Sequence, residues 1–343
     1  MDTRLSSRLQ IIILCVCCTE CSTDISCRNE AGEPVDWFII YKLPRYKIGE
    51  VGSGVDYMYL DSSVGSWQMS KYMVNTSQGA IGNTLKQLYT GQAYKSNSSV
   101  YALYNDGPPI LDYIKGYGHT KGFWLSHSIP HFPSFPERGY LYPSSGKVNG
   151  QTALCMTYDY DQFLSIAKHM VYLYPRFYNC SVPAAFTLDL SQLAQLCEGS
   201  KPRLASDRNV EHLSSIKGEQ FVSFAKSEHF VDDIYTGWVA QALGADLLVE
   251  SWQRSVHELP SNCSLPKHVM NIKRIRLPGP VLFHSHYDHS KWCVSQAYED
   301  QVTCLGDLNR EKTQLWRGGG LVCTFNPLIY KAFRQVVDWY LGC

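Results

Sequence analysis

Short apolar runs alternate with amphipathic segments along most of the chain. Runs rich in β-branched and aromatic residues, which are typical of buried strands, occupy residues 35–41, 57–60, 100–104, 153–158, 246–250, 270–277 and 321–325. Between them, apolar residues recur at spacings of three and four, as in amphipathic helices, at residues 161–173, 188–196, 232–243 and 327–341. The pattern predicts an α/β protein.

The start of the chain carries a short apolar run. Residues 11–18 read Ile-Ile-Ile-Leu-Cys-Val-Cys-Cys and follow Arg4 and Arg8. A basic start and a short apolar core are typical of a signal peptide, whereas a membrane span needs about 20 apolar residues. No later segment is apolar for long enough, so we predict a signal peptide at residues 1–22 and a soluble mature protein in the secretory pathway. A buried N-terminal helix is the alternative.

The length is compatible with two arrangements. A chain of 343 residues can form one large domain or two fused lobes. A loop rich in Pro, Ser and Gly at residues 143–149 is typical of a boundary between folded units. We therefore predict an N-terminal lobe at residues 23–146 and a C-terminal lobe at residues 147–343.

The net charge depends on pH because the chain contains 11 histidines. Basic and acidic residues number 31 each, so the formal charge at neutral pH is zero. Near pH 5, exposed imidazoles take up protons, while carboxylates with a pKa of about 4 stay largely ionised. The protein is then cationic, and we expect it to bind a polyanion such as DNA better in acid, through counterion release at the phosphates.

Two short segments share a His-x-Lys pair. His119 and Lys121 form one pair, and His289 and Lys291 form the other, half the chain away. Residues i and i+2 of an extended strand point to the same face, so each pair can direct an imidazole and an ammonium group at one anionic centre. Two pairs that meet would supply a nucleophile, an acid and two cations, which are the groups that phosphodiester cleavage needs.

Longer motifs surround these pairs in an order that resembles a known family. They are Cys27-Arg28-Asn29-Glu30, Val35-Asp36-Trp37-Phe38, Tyr41-Lys42-Leu43-Pro44, Tyr104-Asn105-Asp106-Gly107, residues 118–122, Phe123-Trp124-Leu125, residues 259–266, residues 288–293, residues 306–310 and Gly318-Gly319-Gly320. In these motifs the chain resembles the deoxyribonuclease II family, in particular its beta type, over nearly the whole mature chain. The family is similar to the phospholipase D superfamily. The resemblance implies an α/β fold with a phospholipase D-like pseudo-twofold arrangement of two mixed-sheet lobes, flanking helices and disulfide links.

The resemblance also implies an activity. It indicates an acid endodeoxyribonuclease that hydrolyses DNA to 3′-phosphate and 5′-hydroxyl ends, without a metal or other cofactor, in lysosomal degradation of apoptotic or engulfed DNA. One of His119 and His289 would attack phosphorus to form a phosphohistidine, and the other would protonate the leaving oxygen. Lys121 and Lys291 would stabilise the non-bridging oxygens.

Three further residues are expected to support the site. His127 and Ser128 follow the first pair, and Asn309 lies where superfamily members use polar phosphate ligands. A purely structural hydrogen-bonding role is the alternative for each. DNA is the expected partner, and the sequence leaves both a monomer and a homodimer open.

The cysteines indicate an oxidising compartment. Of 13 cysteines, Cys15, Cys17, Cys18 and Cys21 lie in or beside the predicted signal peptide, and the odd number that remains implies disulfides with one thiol left over. The family resemblance implies the pairs Cys27–Cys155, Cys263–Cys343 and Cys304–Cys323. Cys180 and Cys197 would then pair, which leaves Cys293 as either a reactive thiol or an inert buried one.

Sequons for N-glycosylation agree with this compartment. They begin at Asn75, Asn97, Asn179 and Asn262. Together with the predicted signal peptide and the disulfides, they favour a glycoprotein of the endomembrane lumen. The family resemblance implies delivery into lysosomes, with secretion as the alternative.

The first half-site departs from the family pattern. Relatives carry a further, mostly apolar segment at a point where Gly122 meets Phe123 directly in this chain. The family layout implies two strands joined by a turn there. Without the turn, His119 and His127 would share one continuous segment up to about 26 Å long, and a central strand would be lost. The alternatives to an active nuclease are a shortened form with impaired activity or folding, or a silent lumenal protein that binds DNA.

A metal centre is a competing interpretation of the second half-site. The stretch from His284 to His289 fits the His-x-His-x-Asp-His spelling of dinuclear metallo-β-lactamase-type sites, in which metal-activated water attacks. That fold takes further ligands from downstream, but no histidine follows His289. We therefore predict no metal in the site.

Overall fold

The computed structural model of the protein describes residues 25–45, 52–90, 93–114, 116–122, 125–254 and 256–343. Two large β-sheets organise the fold, and short helices pack against them. The predicted signal peptide at residues 1–22 lies outside the described residues. None of the helices in the described parts of the chain is long and apolar enough to span a membrane.

The first sheet is entirely antiparallel and follows a short ribbon made of β1 (Cys27–Arg28) and β2 (Pro34–Val35). Its eight strands run in the spatial order β10-β6-β7-β8-β9-β3-β4-β5. In chain order they are β3 (Trp37–Lys42), β4 (Tyr57–Asp61), β5 (Val64–Met69), β6 (Tyr101–Asn105), β7 (Lys121–Gly122), β8 (Leu125–His127), β9 (Gln151–Met156) and β10 (Phe177–Ser181).

The second sheet has nine strands and is mixed, because β13 and β14 run parallel. The spatial order is β11-β12-β18-β17-β16-β13-β14-β15, and β19 also pairs with β14. The strands are β11 (Arg208–Ser214), β12 (Gln220–Lys226), β13 (Leu247–Glu250), β14 (Val269–Arg276), β15 (Leu282–His284), β16 (Trp292–Ser295), β17 (Thr303–Gly306), β18 (Gly319–Thr324) and β19 (Val337–Leu341).

The helices are short, and the start of the last one is determined by its local sequence. The Asn326 side chain accepts hydrogen bonds from two backbone amides of the last helix, and Pro327 occupies its first position. The α-helices are α1 (Gly79–Tyr89), α2 (Tyr160–Leu173), α3 (Ala184–Thr187), α4 (Ser191–Cys197), α5 (Ala240–Leu243, continuing a π-helical turn at Tyr235–Val239) and α6 (Pro327–Arg334). Single 3₁₀ turns occur at Ala93–Lys95, Pro136–Arg138, Ser144–Lys147, Ser285–Tyr287 and Lys312–Gln314.

The main core lies between the two sheets. All six residues of β3 are buried, and alternate side chains point to opposite faces. Trp37 and Tyr41 pack with Trp292 and Phe283 of the second sheet, whereas Phe38 and Ile40 pack with the residues of α1 on the outer side. Burial on both faces explains why β3 is an uninterrupted apolar run in the sequence.

The predicted α/β fold is confirmed, and every predicted strand overlaps an observed one. The expectation of two mixed sheets holds for the second sheet only, because all neighbouring strands of the first are antiparallel. The helices predicted at residues 161–173, 188–196 and 232–243 also overlap helices. The helix predicted at residues 327–341 is wrong beyond Arg334, because Val337–Leu341 forms β19 and pairs with β14. Backbone pairing with a long neighbouring strand outweighs the helical spacing of the apolar residues there.

The chain passes from the first sheet to the second after the boundary that was predicted at residues 143–149. β9 and β10 follow that loop, yet both belong to the first sheet. The second sheet begins at β11, so the two halves divide between Ser181 and Arg208. Helix α2 lies in this connection and packs against β11 and β12.

The two strands that the sequence predicted to be one continuous segment are separate. β7 and β8 pair in antiparallel fashion, with Gly122 opposite Ser126. The prediction of one continuous segment from His119 to His127 is therefore wrong, and the sheet keeps both strands between β6 and β9. Both are short: β7 has two residues and β8 three.

Within the described residues, disulfides join Cys27–Cys155, Cys263–Cys343 and Cys304–Cys323, the pairs that the family resemblance implies, and Cys180–Cys197, the pair expected from the remaining cysteines. Cys293 is unpaired and fully buried. Burial raises the pKa of its thiol well above the usual value. A buried thiol that stays protonated is a poor nucleophile, which favours the inert role for Cys293.

His169 of α2 predicts a loss of stability in acid. Its ring is buried between Ser223, 2.9 Å from Nε2, and Asn209, 3.2 Å from Nδ1, and burial lowers its pKa to about 3. The unfolded chain binds a proton there below pH 6.5 but the folded chain does not, so folding at pH 5 is disfavoured by about 2 kcal/mol relative to pH 8. In His169→Gln this part of the acid loss should disappear, as measured by urea denaturation at both pH values. Equal acid losses in the two proteins would contradict the prediction.

Candidate active site

The first His-x-Lys pair lies at the start of β7 and is anchored by a carboxylate. Lys121 Nζ lies 2.5 Å from Asp106 Oδ1, and His119 Nε2 lies 3.7 Å from Asp106 Oδ2. Asp106 follows β6, which pairs with β7, so sheet pairing places it beside the pair. A side chain at Gly118 would collide with the carbonyl oxygen of Leu173, which shows why glycine precedes the histidine.

Arg317 adds a third cation to this half-site. Its Nη2 lies 3.3 Å from Asp106 Oδ2 and donates to the carbonyl oxygen of Tyr117, 3.2 Å away. The Nε atom of Arg317 is buried and has no hydrogen-bond partner. One carboxylate is thus shared by three basic side chains, so the cluster has an excess of positive charge that suits a phosphate.

The second pair directly precedes β16. His289 Nδ1 lies 3.0 Å from the carbonyl oxygen of Ser128 and 3.2 Å from Gln151 Oε1, and the Trp252 ring packs against the imidazole with 4.8 Å between centroids. Lys291 is buried, and its Nζ donates to the carbonyl oxygen of His289. The imidazole ring and the ammonium group are therefore held in place.

The backbone beside the second pair is fixed by a buried carboxyl group. Asp288 accepts hydrogen bonds from the Tyr41 hydroxyl and from Ser290 Oγ, the latter at 2.6 Å. Trp292 Nε1 donates to the same Tyr41 hydroxyl, 3.1 Å away. Tyr41 belongs to the first sheet, so this network also joins the two lobes.

The two half-sites exchange hydrogen bonds in a reciprocal pattern. The backbone amide of His119 donates to Gly318 and its Nδ1 lies 2.5 Å from the carbonyl oxygen of Asp307, both in the second half. The backbone amide of His289 donates to Gly150, and its Nδ1 pairs with Ser128, both in the first half. Because each Nδ1 faces a carbonyl oxygen, it carries the proton, and each Nε2 is left as the reactive nitrogen.

Strand order shows the same symmetry. The neighbours β6-β7-β8-β9 correspond to β13-β16-β17-β18, and all these neighbouring pairs are antiparallel. Ser128 follows β8 as Asp307 follows β17, and Gly150 precedes β9 as Gly318 precedes β18. This correspondence is the pseudo-twofold arrangement expected from the sequence.

The charges of the two pairs act on each other. Burial and the charge of Lys121 lower the pKa of His119 well below its usual value, and the carboxylate of Asp106 opposes this. Burial, Lys291 and Lys121 lower the pKa of His289 in the same way. Burial and Lys121 also lower the pKa of Lys291. An anionic phosphodiester between the pairs would reverse these shifts, so substrate binding and protonation support each other.

The three predicted supporting residues lie close to the site but make different contacts. Ser128 holds His289 through its carbonyl oxygen, and its hydroxyl donates to Gln151 Oε1 at 2.6 Å. Asn309 Oδ1 accepts from the backbone amide of Trp252 at 3.1 Å. His127 is buried with an unpartnered Nε2, and burial together with Lys121 lowers its pKa to about 3.

Sequence reasoning did not single out Asp106, Arg317, Gln151 or Trp252. Asp106 stood in a quoted motif, and Arg317 directly precedes the glycines at residues 318–320. For these two residues, a charged side chain within or beside a family motif was the signal that could have identified them as part of the site.

The histidine-rich stretch before Lys291 does not form a metal centre. His284 and His286 are exposed, whereas Asp288 is fully buried and bound to Tyr41. Across the described residues, no group of three or more His, Cys, Asp or Glu side chains is arranged to hold a metal ion.

Replacing Asp106 with asparagine should shift the pH profile of the site. Loss of the carboxylate lowers the pKa of His119 further, so one limb of the profile moves to lower pH. If the basic limb moves, His119 acts as the acid; if the acidic limb moves, it acts as the nucleophile. The pH dependence of kcat/KM, measured between pH 3.5 and 7, distinguishes these two roles of His119. Asp338→Asn, which removes a surface carboxylate bound to Arg274 and Arg276, is the matched control, and an unchanged profile in Asp106→Asn would contradict the prediction.

Comparison with known proteins gives one consistent result. A family model described as deoxyribonuclease II matches residues 26–343. The chain is 46% identical to deoxyribonuclease-2-beta of Homo sapiens over 331 residues, which cover 93% of this chain and 92% of the relative. It is 39% identical to deoxyribonuclease-2-alpha of Sus scrofa over 336 residues, or 93% and 91% of the two chains. It is 33% identical to plancitoxin-1 of Acanthaster planci over 349 residues, or 98% and 97%.

Proposed function

The chain belongs to the deoxyribonuclease II family, and on this premise we propose that it is an endonuclease that hydrolyses DNA in acid to 3′-phosphate and 5′-hydroxyl ends. The convergence of two His-x-Lys pairs from opposite halves of the fold carries the proposal. The reciprocal Nδ1 hydrogen bonds leave both Nε2 atoms available for chemistry. The short β7-β8 hairpin keeps the first pair in place, which favours activity over a silent DNA-binding protein.

The reaction proceeds in two displacement steps. In the first, Nε2 of one histidine uses its lone pair to form a bond to phosphorus, the bond from phosphorus to O5′ breaks, and O5′ takes the proton of the other imidazolium. In the second, water attacks the phosphohistidine and gives its proton to the imidazole that has just lost one. The P–N bond then breaks and leaves the 3′-phosphate.

The cations determine both affinity and pH dependence. Lys121 and Lys291 lie beside the histidines and neutralise charge on the non-bridging oxygens as phosphorus becomes five-coordinate. The first step needs one neutral and one protonated imidazole, which titrate as a pair. Because the pKa values of both histidines are lowered, the protonated acid is populated only at acidic pH.

We further propose that the protein acts in the lysosome. The predicted signal peptide, the four disulfides and the sequons support this compartment. Asn75 and Asn97 are exposed, and Asn179 and Asn262 are partly exposed. The acidity that the chemistry requires is available there.

Plasmid cleavage by the purified glycoprotein at pH 5 in excess EDTA tests the proposal. We expect nicked and linear products whose new ends resist extension by a polymerase until a 3′-phosphatase is added. A His289→Ala variant purified in parallel excludes a contaminating nuclease. Folded protein that binds DNA in acid but does not cut it would favour the silent alternative, and activity lost to EDTA would overturn the metal-independent mechanism.

A further inference from the structure

A cavity of about 460 Å³ lies between the two sheets and beneath α2. Its walls come from β6, β12 and β18 of the sheets and from α2 and α4. The side chains that line it are mainly aliphatic and aromatic, as in sites for small apolar ligands of this size. It adjoins the candidate active site, because its lining includes Thr120, which lies between His119 and Lys121, and Asp307, whose carbonyl oxygen holds His119.

The strands of the first half-site are shorter than their counterparts beside the second. β7 and β8 have two and three residues, whereas β16 and β17, their pseudo-symmetric counterparts, have four residues each. β7 pairs with Tyr104 and Asn105 of β6, whereas Tyr101 and Ala102 at the start of β6 pair with β10 and line the cavity. The cavity therefore borders the part of β6 that β7 does not cover.

Besides serine and tyrosine hydroxyls, the polar groups that line the cavity are Asp307 and Thr120 at one place and His169, the only base among the described lining residues, at another. At the first place, Asp307 and Thr120 are hydrogen-bonded to each other. Burial raises the pKa of Asp307 to about 7; the charge of Lys121 opposes this rise and that of Asp106 adds to it. At the other, both ring nitrogens of His169 already have partners. No lysine or arginine is among the described residues that line the cavity. A permanently anionic head group would therefore have no counterion.

We propose that the cavity binds a medium-chain fatty acid, with its chain among the apolar residues of α2 and α4 and its protonated carboxyl group at Asp307 and Thr120. In acid the two carboxyl groups can share hydrogen bonds without an unpaired charge. Each added methylene should increase affinity roughly fourfold, as expected for complete transfer from water. The proposal does not rest on the nuclease function, although the head group would lie beside the candidate active site.

Calorimetric titration of the full-length protein at pH 5 with octanoic and decanoic acid tests the proposal. We expect saturable binding at one site, with decanoic acid about fifteenfold tighter because it has two more methylenes. Decyl sulfate, whose head stays ionised, should bind at least tenfold more weakly than decanoic acid. Non-saturable uptake, or equal affinity for the two heads, would overturn the proposal.

Cavity-filling variants identify the place of binding. Ala167→Phe puts a ring into the cavity and should abolish binding, whereas Ala184→Phe adds the same ring on the exposed start of α3 and should leave it unchanged. Ala102→Leu is a milder filling variant in case Ala167→Phe does not fold, and circular dichroism verifies folding of all three. Equal binding by a folded filling variant and by Ala184→Phe would contradict the assignment.

Discussion

Alanine in place of His119 or His289 should lower the rate of DNA cleavage at pH 5 by about a thousandfold or more. Each imidazole supplies either the nucleophile or the proton for the leaving oxygen, and no neighbouring group can take over either role. Both substitutions should leave the fold intact, because the hydrogen bonds they remove go to carbonyl oxygens near the accessible site. Cleavage of labelled plasmid at saturating DNA measures the effect. His169→Gln changes a buried histidine outside the site and serves as the matched control.

The same variants distinguish the two roles when the leaving group needs no proton. Thymidine 3′-(p-nitrophenyl phosphate) releases p-nitrophenolate without acid catalysis. The variant that lacks the acid should still form the phosphohistidine and give a burst of nitrophenolate, whereas the variant that lacks the nucleophile should give none. Bursts from both variants would contradict a histidine nucleophile at this site.

Alanine in place of Arg310 should destabilise the protein by about 3–5 kcal/mol. Arg310 is buried, and its Nε lies 3.0 Å from Asp233 Oδ2 while its other nitrogens donate to Asn271 and Thr236. Removal of the guanidinium leaves the buried carboxylate of Asp233 without its counterion. The residue follows Asp307 and Asn309, which hold His119 and Trp252, so its loss should also reduce activity as the folded fraction falls.

Equilibrium urea denaturation at pH 7 measures this loss. Arg276→Ala removes an exposed guanidinium bound to Asp338 and should cost at most about 1 kcal/mol. The double variant Asp233→Asn with Arg310→Met should recover much of the stability, because asparagine keeps an oxygen that can accept from the backbone amide and hydroxyl of Thr236 but carries no charge. Equally small losses in the free energy of unfolding for Arg310→Ala and Arg276→Ala would contradict the predicted contribution of the Arg310–Asp233 ion pair.

The sequence predicted those parts of the fold that rest on local pattern. Apolar runs such as β3 are buried on both faces, and their composition alone indicates strands. β19 could not be found in this way, because residues 327–341 have helical spacing and only the pairing with β14 makes the end of this segment a strand. The short turn between β7 and β8 was missed because two-residue and three-residue strands leave almost no periodic signal.

Of the candidate site, the sequence predicted only the two His-x-Lys pairs and the few residues near them. The two His-x-Lys pairs are identical in spelling, and this likeness marks them. Asp106 and Arg317 lie 211 positions apart, and their contact arises only from the packing of the two sheets. The residues that orient the imidazoles act through backbone carbonyls, for which the identity of the side chain carries little information.

The exchange of histidine partners between the two halves has a consequence for biosynthesis. His119 is held by Gly318 and Asp307, which the ribosome adds nearly two hundred positions later. His289 is held by Gly150 and Ser128, which are synthesised before it. These contacts can form only after the second half is complete and has docked on the first. No fragment that lacks either half therefore contains an oriented imidazole. DNA cleavage by this chain therefore has to wait until both halves are complete and docked.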